Sequence, residues 1–164
     1  MWQYIYSNEL VHHGVLGMKW GRRKHSEPPE THDITAKNGD AIQLVRRKSI
    51  NKKYNRENLD FDIKRDGKNI GSLDIGKKAE GEMNVNWMNI NPKYQGRGYT
   101  SAILEQGEKI AKENGGKKLT AEIVGTAPDM LHIVESHGFV KTGEVKTKAV
   151  LEVWGGYTLV EKPL

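Results

Sequence analysis

Apolar and polar residues alternate along much of the chain from Thr31 onward, and this period of two predicts strands. Leu59-Asp-Phe-Asp-Ile63 alternates cleanly, Asp66-Gly67 turns the chain, and Ile70 to Ile75 returns as the second arm of a hairpin. An earlier hairpin is predicted around Asn38-Gly39, with Asp33 to Ala36 before it and Ala41 to Arg47 after it. Lys48 to Asn58 reads as a loop or short helix, and Lys77 to Gly81 as a loop. In the next strand Val85 and Trp87 share one face, and the apolar parity then flips to Met88 and Ile90. One inserted residue, a β-bulge, produces such a flip. Asn91-Pro92 ends that strand, because proline brings no N–H to the ladder.

The period then changes. Ile103, Gly107, Ile110 and Ala111 mark one stripe of a helix over 100–114, and Gly115-Gly116 stops it. Leu119, Ala121 and Ile123 alternate in another strand, and Pro128 opens a short helix to about Ser136, closed by His137-Gly138. Phe139 to Val145 and Val150 to Val160 are the last predicted strands, the latter interrupted by Gly155-Gly156. The expected fold class is α/β (α+β): a mixed, mostly antiparallel sheet with flanking helices and the 100–114 helix as a crossover.

Residues 1–30 have a different character, which divides the chain into an N-terminal extension (1–30) and a folded domain (31–164). Gly14, Gly17 and Gly21 argue against a helix in the extension, and Pro28-Pro29 reads as a linker. The absence of cysteine excludes a disulfide framework and a thiol nucleophile. No apolar run approaches the roughly 20 residues of a membrane span, and no secretory signal is evident, so a soluble intracellular product is expected. His12, His13, His25 and His32 lack metal-site spacing. The net charge of +5 suits a polyanionic ligand. It equally allows weak attraction to nucleic acid, but no aromatic stacking platform or reading helix supports such binding.

The candidate chemistry lies between the central strand and the helix. Gln95-Gly96-Arg97-Gly98-Tyr99-Thr100-Ser101 is a glycine-bearing turn feeding a helix N-terminus, where unpaired N–H groups and the helix dipole favour phosphate oxygens. Ile103 and Leu104 stand where a capping box needs Glu or Gln, so the donors are not claimed locally. A third Rossmann glycine is missing, since Ser101 fills that slot. Upstream, Gly71 to Lys78 nearly spells a P-loop but lacks the Ser/Thr hydroxyl and the following helix.

The stretch Ile90-Asn-Pro-Lys-Tyr-Gln-Gly-Arg-Gly-Tyr-Thr-Ser-Ala-Ile-Leu104 resembles the acetyl-CoA pyrophosphate loop of GNAT N-acetyltransferases, with Gln95, Gly98 and Thr100 at the motif positions. Thr100 departs from it, because the family favours a smaller residue there. Ala127 to Phe139 resembles the family's second signature, a short helix ending in Gly-Phe. The resemblance implies a GNAT-like acyl-CoA fold, acetyl-CoA as cofactor, and transfer of acetyl to an amine by direct attack. Cofactor contacts are implied at Met88, Asn89 and Ile90 on a splayed strand and at Gln95, Gly96, Arg97, Gly98, Tyr99, Thr100 and Ser101 on the loop. The short 48–58 region, where the family's acceptor-side helices would lie, implies an open substrate groove. The family's usual tyrosine acid falls on Val134, so the acid is missing. Glu122 and Ser136 are the catalytic candidates, with His132, His137 and Glu82 behind them.

His12-His-Gly-Val-Leu-Gly-Met-Lys-Trp-Gly-Arg-Arg23 is similar to a motif near the ends of phage and prophage structural proteins of Gram-positive bacteria. That likeness implies a phage origin, a docking peptide over residues 10–23, and a product in the host cytoplasm or on the virion. Two functions stay open: an acetyltransferase for an unidentified amine, or a weakly active or inactive GNAT-fold module attached to the virion through its N-terminal peptide. Exposed strand edges also allow a homodimer.

Overall fold

The computed structural model describes residues 28–47 and 58–164. Eight strands form one sheet in the order β1-β2-β3-β4-β5-β6-β8-β7. The strands are β1 (Thr31–Thr35), β2 (Ala41–Arg46), β3 (Asn58–Arg65), β4 (Lys68–Ala79), β5 (Glu82–Ile90), β6 (Lys118–Val124), β7 (Val140–Val145) and β8 (Tyr157–Pro163). The helices are α1 (Tyr99–Glu113), α2 (Pro128–Ser136) and α3 (Lys148–Trp154), with a 3₁₀ turn at Pro92–Tyr94. Every strand pair is antiparallel except β5 with β6. A parallel pair needs a crossover, and α1 supplies it.

Both predicted hairpins form. Gly39 (φ 85°) closes the first, and Asp66 (φ 49°) with Gly67 (φ 74°) closes the second. The alternation of β3 buries Leu59, Phe61 and Ile63, and Phe61 lies opposite Leu73 of β4. The predicted stripe of α1 packs on that face: Ile103, Ile110 and Ala111 are buried, and Gly107 lies over Leu73 and Ile75. Asp60, Asp62 and Asp74 therefore project from the other face of the sheet.

Three expectations are corrected. The 77–81 stretch is not all loop, because β4 runs on to Ala79 and keeps pairing with β5 through Ala79↔Glu82. The bulge in β5 is real but lies at Asn86: Ile75 pairs with Val85 and Asp74 with Trp87. Val85 and Trp87 consequently point to opposite faces, and the parity flips one residue pair earlier than the apolar pattern suggests. Finally, 150–154 is not strand. The partners of β8 reach only to Tyr157. Residues 148–154, beyond that ladder, coil into α3, which ends where Gly155 takes a left-handed conformation (φ 69°). The predicted loop or helix at 48–58 lies outside the described residues except for Asn58, which begins β3.

Among the described residues, no helix is long and apolar enough to cross a membrane, and no group of three or more His, Cys, Asp or Glu could hold a metal ion.

Candidate active site

The site is built by two strands that part. β5 and β6 pair only from Glu82↔Lys118 to Val85↔Ala121. Beyond that point each strand follows its antiparallel neighbour instead. β6 stays with β8 as far as Val124↔Tyr157, and β5 stays with β4 as far as Ile90↔Gly71. The bulge at Asn86 adds local twist where the seam opens. Gly71 makes the close β4–β5 approach feasible, since a Cβ there would run into the Asn89 carbonyl oxygen. In the opening lies a cavity of about 190 Å³, lined by Val85, Met88, Ala121, Ile123, Val134 and Trp154 among others. The β5 backbone from Trp87 to Ile90 has no β6 partner, which leaves its groups on that side available to an extended ligand.

The parted strand leads into the glycine turn. Gly96 (φ 72°) and Gly98 (φ 76°) both need left-handed backbone, and nothing stands within 4 Å of where either Cβ would be. Gly98 caps α1 without any side-chain hydrogen bond, and the first turn carries no acidic residue. The cap of α1 thus has no side-chain hydrogen bond, in keeping with the missing capping box. The Gln95 side chain instead donates to the Ile90 carbonyl (2.8 Å) and ties the turn to the end of β5. Arg97 lies 5.9 Å from the Tyr94 ring centre.

Beneath the turn is a network that the sequence did not reveal. Tyr99 is 1% exposed, so its side chain supports the turn from below. Its hydroxyl donates to Asp40 Oδ2 and accepts from Arg65 (2.6 Å), while Arg65 also pairs with Asp40 at 3.1 Å. The Tyr99 hydrogen bond, ahead of that from Asn38, lowers the Asp40 pKa. Burial, then Asp40, raises that of Tyr99. Both hairpin turns are thereby fastened to the start of α1.

A sequence profile of the Acetyltransferase (GNAT) family matches residues 23–139. The chain belongs to the GNAT acetyltransferase family. A second profile, a family of unknown function (DUF7211), matches residues 5–27, outside the described residues. Comparison with curated proteins finds no match. Similar solved structures include a GNAT family acetyltransferase from Elizabethkingia anophelis with acetyl-CoA bound, at 17% identity over 65% of this chain and 76% of that one (TM-score 0.60). Another is a Bacillus subtilis acetyltransferase in complex with CoA, at 10% identity over 75% and 97% of the two chains (TM-score 0.64). The spermidine N-acetyltransferase from Vibrio cholerae, in complex with CoA and spermine, matches at 16% identity over 65% of each chain (TM-score 0.55). At these identities the likeness is one of fold, and the mixed, mostly antiparallel sheet with flanking helices is the GNAT acyltransferase fold.

Within this GNAT fold the catalytic candidates separate. Glu122 lines the cavity from β6, exposed and without a hydrogen bond or ion pair among the described residues. Ser136 is at the exposed end of α2, donates to the Ile133 carbonyl (2.6 Å), and is not part of the cavity wall. Val134 is 1% exposed and part of that wall, to which it presents an apolar surface. His132 is exposed on α2, His137 faces Glu105 at 3.9 Å, and Glu82 pairs with Lys78 and Lys118.

Sequence reasoning missed Asp40, Arg65, Asn84, Asn86 and Thr120. Asp40 and Arg65 are turn-flanking residues, and Asn84 and Asn86 read as the polar alternates of a strand. Nothing in the pattern joins residues 59 positions apart, as Asp40 and Tyr99 are.

Proposed function

We propose that the protein is an acetyl-CoA-dependent N-acetyltransferase that transfers acetyl to an amine by direct attack. The observation that carries this reading is the continuity of the parted β5 edge with the uncapped start of α1. In this reading the backbone of Met88, Asn89 and Ile90 holds the pantetheine and thioester end. The N–H groups from Gly96 to Ser101 hold the pyrophosphate. Acetyl-CoA supplies an activated acyl group. The chain supplies orientation, an oxyanion donor on β5 and exclusion of water by the apolar cavity wall. A thiolate leaves tolerably near neutral pH, so Val134 in place of an acid is compatible with turnover.

Calorimetric titration with acetyl-CoA tests the reading, with Gly98→Glu as control. Glutamate there places a carboxylate at the anion site and strains a left-handed position. Saturable binding by wild type and none by the variant is the expected result; absence of wild-type binding sinks the reading.

The apolar Val134 position favours a second function: a catalytically weak GNAT module acting through residues 10–23 as a docking peptide for a phage structural protein. In both readings the product belongs in the host cytoplasm, and in the second also on the virion. Removing residues 1–29 separates the two. If docking is the function, association with the virion is lost while acetyl-CoA binding and thermal stability persist. Unchanged association ends that reading.

A further inference from the structure

The sheet face turned away from α1 carries a carboxyl group fixed by a chain of side chains that crosses β6, β5 and β4 next to the point where β5 and β6 part. Buried Thr120 of β6 donates to Asn84 Oδ1 of β5 (2.8 Å), Asn84 Nδ2 donates to Asn86 Oδ1 (2.8 Å), and Asn86 Nδ2 donates to Asp74 Oδ1 of β4 (3.2 Å). Every donor in the chain points towards Asp74. Asn86 is the bulge residue at which the seam opens. On the other side Asp74 lies in register with Asp60 of β3, whose Oδ1 is buried with no hydrogen-bond partner among the described residues. Beside them is a polar cavity of about 390 Å³, lined by Asp74, Asn58, Asn84, Asn86, Lys77 and Lys78.

We propose that Asp74 is the general base that accepts the proton of the attacking amine, aimed by the Thr120–Asn84–Asn86 chain and backed by Asp60. This rests on the acetyltransferase reading. On β4, Leu73 and Ile75 are packed beneath α1, so an acceptor amine approaching over β4 meets the thioester from the opposite face. Asp74 stands on that face, opposite Trp87 and next in register to the Leu73↔Met88 pair. Trp87, 52% exposed, supplies an aromatic surface for a cationic amine. Glu122, by contrast, has no hydrogen bond or ion pair to orient it among the described residues.

The charges support the assignment. Burial, and then the neighbouring Asp60, raise the Asp74 pKa, against the lowering hydrogen bond from Asn86 and the charge of Arg47. Lys77 and Lys78 share the cavity wall. In the reaction the amine nitrogen forms a bond to the acetyl carbon as the carbon–sulfur bond breaks. The nitrogen's proton passes to Asp74 and thence to solvent. CoA leaves as the thiolate and takes a proton from water.

The test uses the full chain with acetyl-CoA and two amine probes, spermidine and a lysine-containing peptide. Asp74→Asn is expected to lower kcat by about a hundredfold or more while acetyl-CoA affinity and Tm stay near wild type. Asp60→Asn removes a negative neighbour and should move the acidic limb of the kcat/KM profile to lower pH. An Asp74→Asn variant with wild-type kcat overturns the proposal. So does an acidic limb that ignores Asp60→Asn. Acetyl-CoA binding without turnover of either amine counts against the acetyltransferase reading itself. Asp74 is then judged by carboxyl-carbon NMR. A titration above the ordinary aspartate range that falls in Asp60→Asn upholds the coupled base. An ordinary titration, unmoved by that variant, overturns it.

Discussion

In the proposed acetyl-CoA reading, Tyr99 serves the glycine turn without touching the ligand. Its ring is buried and its hydroxyl is shared between Asp40 and Arg65, so the backbone that follows Gly98 is held from beneath. Tyr99→Phe keeps the ring and deletes the hydroxyl. The expected result is a rise in Kd for acetyl-CoA of about fivefold, the worth of one ordinary hydrogen bond, with kcat little changed at saturation. Calorimetry and steady-state kinetics separate the two quantities. An unchanged Kd would mean that the network only supports the fold. The motif shows that Tyr99 belongs to the loop. It does not show that the side chain turns inward, because that depends on residues in two distant hairpins.

At the scale of elements, α1 lies on β4 through a glycine. A Cβ on Gly107 would meet Ile75 Cδ1 at 3.5 Å and Leu73 Cδ2 at 3.7 Å, both ordinary contact distances. Alanine therefore fits, and it is a better helix former. Gly107→Ala should stabilise the protein by up to about 1 kcal/mol, visible as a higher denaturant midpoint with an unchanged slope. A lowered midpoint would show that the added methyl is not accommodated between α1 and β4. Strands, hairpins and the two longer helices were legible because local period and turn residues agree with the tertiary context. The α3 segment was not. Val150, Leu151, Val153 and Trp154 are apolar enough for a strand, but the ladder has no place for them.

Across the whole molecule, the charged groups give stability a definite pH dependence. Lys141 and then Lys146 hold Glu144 at a pKa of about 2, and Asp40 is also lowered. A carboxyl whose folded pKa lies below its unfolded value stabilises the protein above the unfolded value, and this is lost as pH falls through the folded one. Asp74, with a raised pKa, acts in the opposite sense: its ionisation opposes folding as pH rises above the ordinary aspartate value. Thermal melts should therefore show Tm falling from about pH 4 towards about pH 2. In Tyr99→Phe that fall should be shallower, because Asp40 loses the hydrogen bond that lowers it most. Equal slopes in wild type and variant would remove Asp40 from the account.

The sequence by itself determined the strand and helix order up to α2, the bulge in the central strand, the uncapped glycine turn and the family. All of these rest on neighbours within a few residues, where period, turn chemistry and motif spacing act directly. Only the tertiary structure decided where β5 and β6 part, because that follows from which antiparallel partner each strand keeps. It also decided that Tyr99 turns inward, that Val134 forms a cavity wall and that Thr120, Asn84, Asn86 and Asp74 form one chain. Those contacts join strands through the pairing of distant segments, and no local pattern encodes that pairing.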